Sequence, residues 1–425
     1  MKSYLLFVLC LLASMTGYAQ EFDAHFENRT LRLDYIFSGD AAHQSVCLSE
    51  MSVLPSWAGR RHRLGELPLS GNGQITVRDV RNHQTLYVTS FSSLFQEWIA
   101  TEEAKTKQRG FENSFLVPFP LHPVEIEIAL YNARHEVTVR LAQTVDPKDI
   151  LIHRRGLSHI TPHRYLQQNG TPEKCIDIAI LAEGYKPEEA GVFYQDAERA
   201  VASLFDYTPF KENRSRFNVV AVMSPSVDSN VSIPKEGVWR QTAFGSHFST
   251  FYSDRYLTTQ QVFAVHNALA GIDYEHIIIL ANSEEYGGGG IYHSYTLSTA
   301  HHPTFKEVIV HEFGHAFGGL ADEYFYEDDF NSDTYPTDVE PWEPNITTLV
   351  DFDAKWKDLL NPGTPVPTPV SEKAKHPVGV YEGGGYSFKG VYRPADECRM
   401  RNNTYPTFCP VCERGIGRII DFYTE

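Results

Sequence analysis

Apolar side chains recur at every second position along much of the stretch from residue 20 to 147. Leu31-Arg32-Leu33-Asp34-Tyr35, Val124-Glu125-Ile126-Glu127-Ile128 and Val137-Thr138-Val139-Arg140-Leu141 all alternate apolar and polar residues, the period of a half-buried strand. Turn residues such as Gly71-Asn72-Gly73 punctuate the stretch, and 94–107 is the segment that reads as a short helix. The pattern predicts an N-terminal β-sandwich over 20–147. A polar seam follows at 148–174, flanked or broken by Pro147, Pro162 and Pro172.

From Cys175 the period changes to alternating strands and helices, which predicts a C-terminal α/β domain over 175–425. Residues 176–182 read as a buried strand, and 187–205 as a helix with Pro187 in its first turn. Residues 217–223 form a second strand and 259–270 a second helix. Residues 277–281 are apolar throughout, as a central strand is. The run Tyr286-Gly287-Gly288-Gly289-Gly290 reads as a flexible turn, and 291–299 as an exposed edge strand after it. The acidic, proline-broken stretch 327–344 reads as a loop.

The first nineteen residues read as an export signal. Lys2 is followed by a short apolar run over 4–13 and by Gly17-Tyr18-Ala19, a small-x-small cleavage site. That run is too short to span a bilayer. Leu9 before Cys10 does not fit a lipoprotein cysteine. No later segment reaches the length of a membrane span, so the mature chain is expected to be periplasmic, on the cell surface or extracellular. Thirty-seven basic against 54 acidic residues give a net charge of −17, which argues against a nucleic-acid-binding surface. Six cysteines in 425 residues are too few for a disulfide-built scaffold.

The strongest chemical signal is His311-Glu312-Phe313-Gly314-His315. Residues four apart share a helix face, so His311 and His315 can grip one zinc ion, with Glu312 beside it to hold a water and act as general base. Zinc in a catalytic site needs a third protein ligand and an open position. Gly318-Gly319 can end the helix and turn the chain back toward the metal. Ala321, ten residues after His311, cannot bind; Asp322 is the expected third ligand, with Glu323 the alternative. Thr299 is soon followed by His301-His302, whose spacing cannot join the His311/His315 face.

The segment HEFGHAFGGLADEY resembles the signature of the M64 peptidases, a family of bacterial metallopeptidases. The stretches 379–386 (GVYEGGGY), 390–394 (GVYRP), 398–401 (CRMR) and 408–412 (FCPVC) agree with it. The resemblance covers about 175 to 425, and the N-terminal β domain matches the family's usual layout. It implies a zincin-like, metzincin-type catalytic fold, zinc-dependent hydrolysis of peptide bonds, a protein or peptide substrate and export. It does not imply cleavage of immunoglobulin A. Met400 fits the hydrophobic Met-turn under the zinc of metzincins. Cys398, Cys409 and Cys412 suggest a second metal site but lack a clear fourth ligand, so a disulfide between two of them is expected. Asp328, Asp329, Asp333 and Asp338 read as a solvated loop rather than a calcium site.

Oxyanion stabilisation needs a donor besides zinc, and Tyr324, Tyr386 and Tyr405 are the candidates. The edge at 291–299 is available for β-addition of an extended substrate, and Gly383-Gly384-Gly385 for close approach of its backbone, unless these glycines only form turns. Two other functions compete with an endopeptidase: a zinc amidase or deacetylase, and a surface-binding protein with a non-catalytic metal site.

Overall fold

The computed structural model describes residues 20–326 and 334–425. The export signal and Asp328, Asp329 and Asp333 lie outside the described residues. Among the described residues no helix is long and apolar enough to cross a membrane.

After a short helix α1 (Gln20–His25), the N-terminal half is built of two sheets. Its strands are β1 (Phe26–Gly39), β2 (Gln44–Leu54), β3 (Gly73–Asp79), β4 (Thr85–Phe91), β5 (Arg109–Pro120), β6 (Val124–Tyr131), β7 (Val137–Val145) and β8 (His153–Arg154). They are ordered β5-β1-β2-β8 and β4-β3-β6-β7. The sheets meet through aromatic rings: Phe91 and Phe115 lie 4.3 Å apart between centroids, and Phe37 packs against both. In β6 the alternation translates as expected, with Val124, Ile126 and Ile128 buried and Glu125 and Glu127 at the surface edge.

β1 departs from the half-buried reading, since Arg32 and Asp34 are as buried as Leu31 and Leu33. Arg32 makes a two-point ion pair with Asp34 at 2.7 and 2.8 Å and donates to Asn267 Oδ1 at 2.8 Å. The polar face of this strand is therefore covered by the C-terminal half, its charges paired rather than solvated. The helix expected over 94–107 is α2 (Leu94–Trp98) followed by a single 3₁₀ turn, Glu103–Lys105. Thr101 Oγ1 hydrogen-bonds the Trp98 carbonyl at 2.7 Å, closing the helix early.

The C-terminal half contains a six-stranded sheet of β9 (His163–Gln167), β10 (Ile176–Glu183), β11 (Phe217–Val222), β12 (His276–Ala281), β13 (Gly288–Ile291) and β14 (Tyr295–Thr299). Its order is β13-β14-β12-β10-β11-β9, with β12 in the interior as its apolar run predicts. The helices are α3 (Ala190–Leu204), α4 (Val262–Ala268), α5 (Phe305–Gly318) and the C-terminal α6 (Pro410–Thr424); a hairpin of β15 (Tyr381–Gly384) and β16 (Ser387–Arg393) precedes α6.

The glycine run corrects one expectation. Residues 291–299 are not an exposed edge: β14 is buried throughout and pairs with β12 on one side and β13 on the other. The edge strand is the glycine run itself. A Cβ on Gly290 would collide with the Glu312 carbonyl oxygen, and one on Gly288 would sit 3.0 Å from Glu312 Cγ. Glycine is required there because the strand lies directly on α5.

Candidate metal centre

α5 carries His311, Glu312 and His315 over the sheet. Its apolar residues Phe305, Ile309, Val310, Phe313 and Phe317 are buried, and this fixes the helix roll and hence the face the two imidazoles share. Gly319 ends the helix in the left-handed conformation at φ 59°. The Leu320 N–H returns to the Gly314 carbonyl at 3.2 Å, and the reversed chain brings Asp322 back over the histidines.

His311 Nε2 lies 3.0 Å from Asp322 Oδ1, His315 Nε2 3.3 Å from the same oxygen, and the two Nε2 atoms are 3.1 Å apart. The other ring nitrogens are committed: His311 Nδ1 donates to the Arg399 carbonyl at 3.0 Å and His315 Nδ1 to the Leu320 carbonyl at 2.6 Å. Carbonyls only accept, so Nδ1 carries the proton in each neutral ring and both Nε2 lone pairs face the carboxylate. Three electron-rich atoms converge on one point, which is an arrangement that requires a cation. A divalent metal satisfies all three, and tetrahedral bonds of about 2.0–2.1 Å put donors about 3.3 Å apart.

The electrostatics agree. Burial alone raises the Asp322 carboxyl, but the facing His315 and His311 outweigh it and hold it well below the usual carboxylate range. Burial alone lowers His315, yet Asp322 more than reverses this and pushes it up to about 9 when a proton is the cation. Burial raises Glu312, against the opposing pull of His311 and His315.

Tyr386 donates to Asp322 Oδ2 at 2.5 Å. Tyr324 packs against Tyr386 with centroids 5.3 Å apart, and its hydroxyl accepts from Arg255 Nη2 at 3.4 Å. Tyr405 is half-buried, its backbone N–H bonded to Asn402, and no bond links its side chain to the cluster. Met400 is fully buried beneath α5, where a Cβ on Gly314 would lie 2.9 Å from its sulfur. Glu323 turns away, toward Asn345 and Cys412. His301 pairs with Asp196 at 2.8 Å, away from the centre. Gly385 and Gly383 serve packing: at φ 54° and 93° they lie against Tyr335 and Phe325, and the Gly385 N–H holds the Asp322 carbonyl at 2.8 Å.

Two contributors carry no sequence signal. Arg255 comes from the loop before α4. Asn345 clamps Ala321 from both sides, accepting from its N–H at 2.8 Å and donating to its carbonyl at 2.9 Å. A lone arginine and a lone asparagine belong to no motif, and only the fold brings them in.

Comparison with known families matches residues 165–376 and 370–420 to the model described as IgA Peptidase M64. Residues 21–142 match the model described as Peptidase M64 N-terminus. No curated protein matches the chain.

Proposed function

The chain belongs to the M64 peptidase family, and from that premise we propose that it is an exported zinc endopeptidase in which His311, His315 and Asp322 hold the metal and Glu312 is the general base. The observation that carries the reading is the convergence of two proton-free imidazole nitrogens and one carboxylate oxygen within 3.3 Å, with Glu312 on the same helix. Two imidazoles and a carboxylate suit zinc. Bound there, zinc supplies Lewis-acid chemistry, polarising the scissile carbonyl and making water more acidic.

The remaining steps belong to the protein. Glu312 takes a proton from the attacking water and passes it to the leaving amine. Its burial-raised carboxyl suits that exchange, because a base titrating nearer the working pH also returns the proton readily. The Tyr324 hydroxyl, polarised by Arg255, donates to the developing oxyanion. Tyr386 orients Asp322, the Arg399 and Leu320 carbonyls fix the imidazole tautomers, and Met400 forms the apolar floor. We divide the chain into an export signal at 1–19, a β-sandwich at 20–147, a seam at 148–174 that lends β8 to the sheet before it and β9 to the sheet after it, and the catalytic domain at 175–425.

A proteome-derived peptide library read by mass spectrometry tests the reading. New internal cleavages are expected with the intact protein, none after chelation, and their return on adding zinc. A library left uncut by the zinc-loaded protein overturns it.

A further inference from the structure

Behind the first centre, Glu323, Cys398, Cys409 and Cys412 turn their side chains to one buried point, with a donor atom of each within 4.8 Å of the others. Glu323, Cys398 and Cys412 are fully buried and Cys409 nearly so. Cys398 Sγ and Cys412 Sγ are 3.7 Å apart, and Cys412 Sγ is 3.0 Å from Glu323 Oε1. All three cysteines are free, so the disulfide expected from the export signal is not formed. Glu323, 75 residues before Cys398, offers the fourth donor that the cysteine spacing alone lacks.

The sulfur separation discriminates between a disulfide and a metal. A disulfide brings sulfurs to about 2.05 Å. Thiolates on a tetrahedral ion at about 2.3 Å stand about 3.8 Å apart, close to the 3.7 Å seen. A disulfide would also leave one thiol and a carboxylate facing each other without a cation. The carboxylate already shows the deficit: Asn345 donates to Oε1 at 3.0 Å, whereas Oε2 is buried with no partner among the described residues.

The start of α6 favours thiolate. Cys409 is the N-cap of α6 and Cys412 lies in its first turn, where the helix dipole stabilises negative charge. The Cys409 N–H donates to Cys398 Sγ at 3.2 Å.

We propose that Glu323, Cys398, Cys409 and Cys412 form a second metal site, a closed structural zinc site. Four protein donors leave no open position, the mark of a structural rather than a catalytic site. Three thiolates select zinc over calcium or magnesium. The site ties the segment after α5 to the loop after β16 and to the start of α6. Glu323 directly follows Asp322, and its N–H donates to the Met400 carbonyl at 2.8 Å. Cys398 directly precedes Arg399, whose carbonyl fixes His311. The second ion thus staples together the two segments that align the first. The assignment does not depend on peptidase activity.

The test is metal stoichiometry on the full mature chain, reconstituted with zinc and read by native mass spectrometry. The expected result is about two ions in the wild type and about one in His315→Ala, which keeps all four donors of the second site. His315→Ala exchanged with cobalt should show thiolate-to-metal charge-transfer absorption in the near ultraviolet. Cys412→Ser in the same background should lose it. Alkylation under non-reducing conditions should find all three thiols protected by metal and released by chelation. A metal-free His315→Ala, or a disulfide mapped between any two of the three cysteines, overturns the proposal. The His315→Ala measurements decide it even where Cys412→Ser does not fold.

Discussion

Tyr386 donates its hydroxyl to Oδ2 of Asp322 at 2.5 Å, while Oδ1 of the same carboxylate faces His311 and His315. One oxygen is pinned so that the other points at the two imidazoles. Tyr386 is itself held at φ 65°, its N–H bonded to the Tyr324 carbonyl at 3.0 Å. Partners of this kind fix ligand orientation, and losing one costs about 10–100-fold in metal affinity. Tyr386→Phe is therefore expected to weaken the histidine-held zinc by that factor in competition with a chromophoric chelator. Unchanged affinity would mean the bond does not orient Asp322.

Gly290 carries the edge strand across α5, and a side chain there meets the Glu312 carbonyl. Gly290→Ala should push the strand and helix apart at Glu312. Overpacking of this kind costs about 1–3 kcal/mol, read as a lower urea midpoint together with reduced turnover. A variant with wild-type stability and turnover would show that β13 can move aside.

Much of this arrangement was legible in the sequence because it is local. The helical spacing of His311 and His315 and the turning Gly318-Gly319 put the three clustered side chains within one stretch, 311–322, with no long-range information needed. The central strand β12 was readable for the same reason: burial on both faces leaves an unbroken apolar run. What was not legible depends on distant partners. Arg32 and Asp34 look solvent-facing until Asn267 covers them, and the glycine run looks like a turn until α5 lies beneath it. Glu323 reads only as the alternative third ligand of the histidine centre, because its cysteine partners come much later in the chain.

Asp177 makes the stability of the central sheet depend on pH. It is buried in β10, with one oxygen bonded to Asn218 Nδ2 at 3.0 Å and the other without a partner. Burial, aided by Asp273, pushes its carboxyl up to about 7 from an ordinary 3.8. Between those values the folded chain keeps a proton that the unfolded chain has lost, so stability falls as pH rises across the window. Asp177→Asn removes the ionisation and keeps the acceptor for Asn218. It should flatten the fall between pH 4 and 7 in urea unfolding and be more stable at pH 8 by about 1–3 kcal/mol, the usual cost of an unsatisfied buried group. An unchanged slope would exclude Asp177 as its source.

The Tyr324 hydroxyl, like that of Tyr326, accepts from Arg255 and so keeps its own proton to donate. Removing one oxyanion donor costs about 10²–10³ in kcat. Tyr324→Phe is expected to lose that much with zinc affinity intact, which separates it from Tyr386→Phe. A loss confined to KM would place Tyr324 in substrate binding instead.

Glu312 decides between an enzyme and a binding protein with a metal in it. Its side chain is half-buried beside Gly288, and among the described residues no hydrogen bond occupies the carboxylate, which leaves it available to water. Glutamine has nearly the same shape and cannot take a proton at neutral pH. Glu312→Gln should therefore keep the fold and the histidine-held zinc, which native mass spectrometry reads directly. Its kcat should fall by about 10²–10⁴, the worth of general acid–base catalysis. KM should change little, because the lost interaction operates in the transition state. The wild-type rate should rise along an acid limb as Glu312 loses its proton, at a pH above the ordinary glutamate range because burial raises it. That limb belongs to a coupled cluster rather than to Glu312 alone, yet it requires a titrating group at 312 and should vanish in the glutamine variant. A variant that keeps zinc and cleaves as fast as the wild type would remove Glu312 from the mechanism. A wild type that cuts nothing, and binds a peptide as tightly as Glu312→Gln does, would make the centre a binding site.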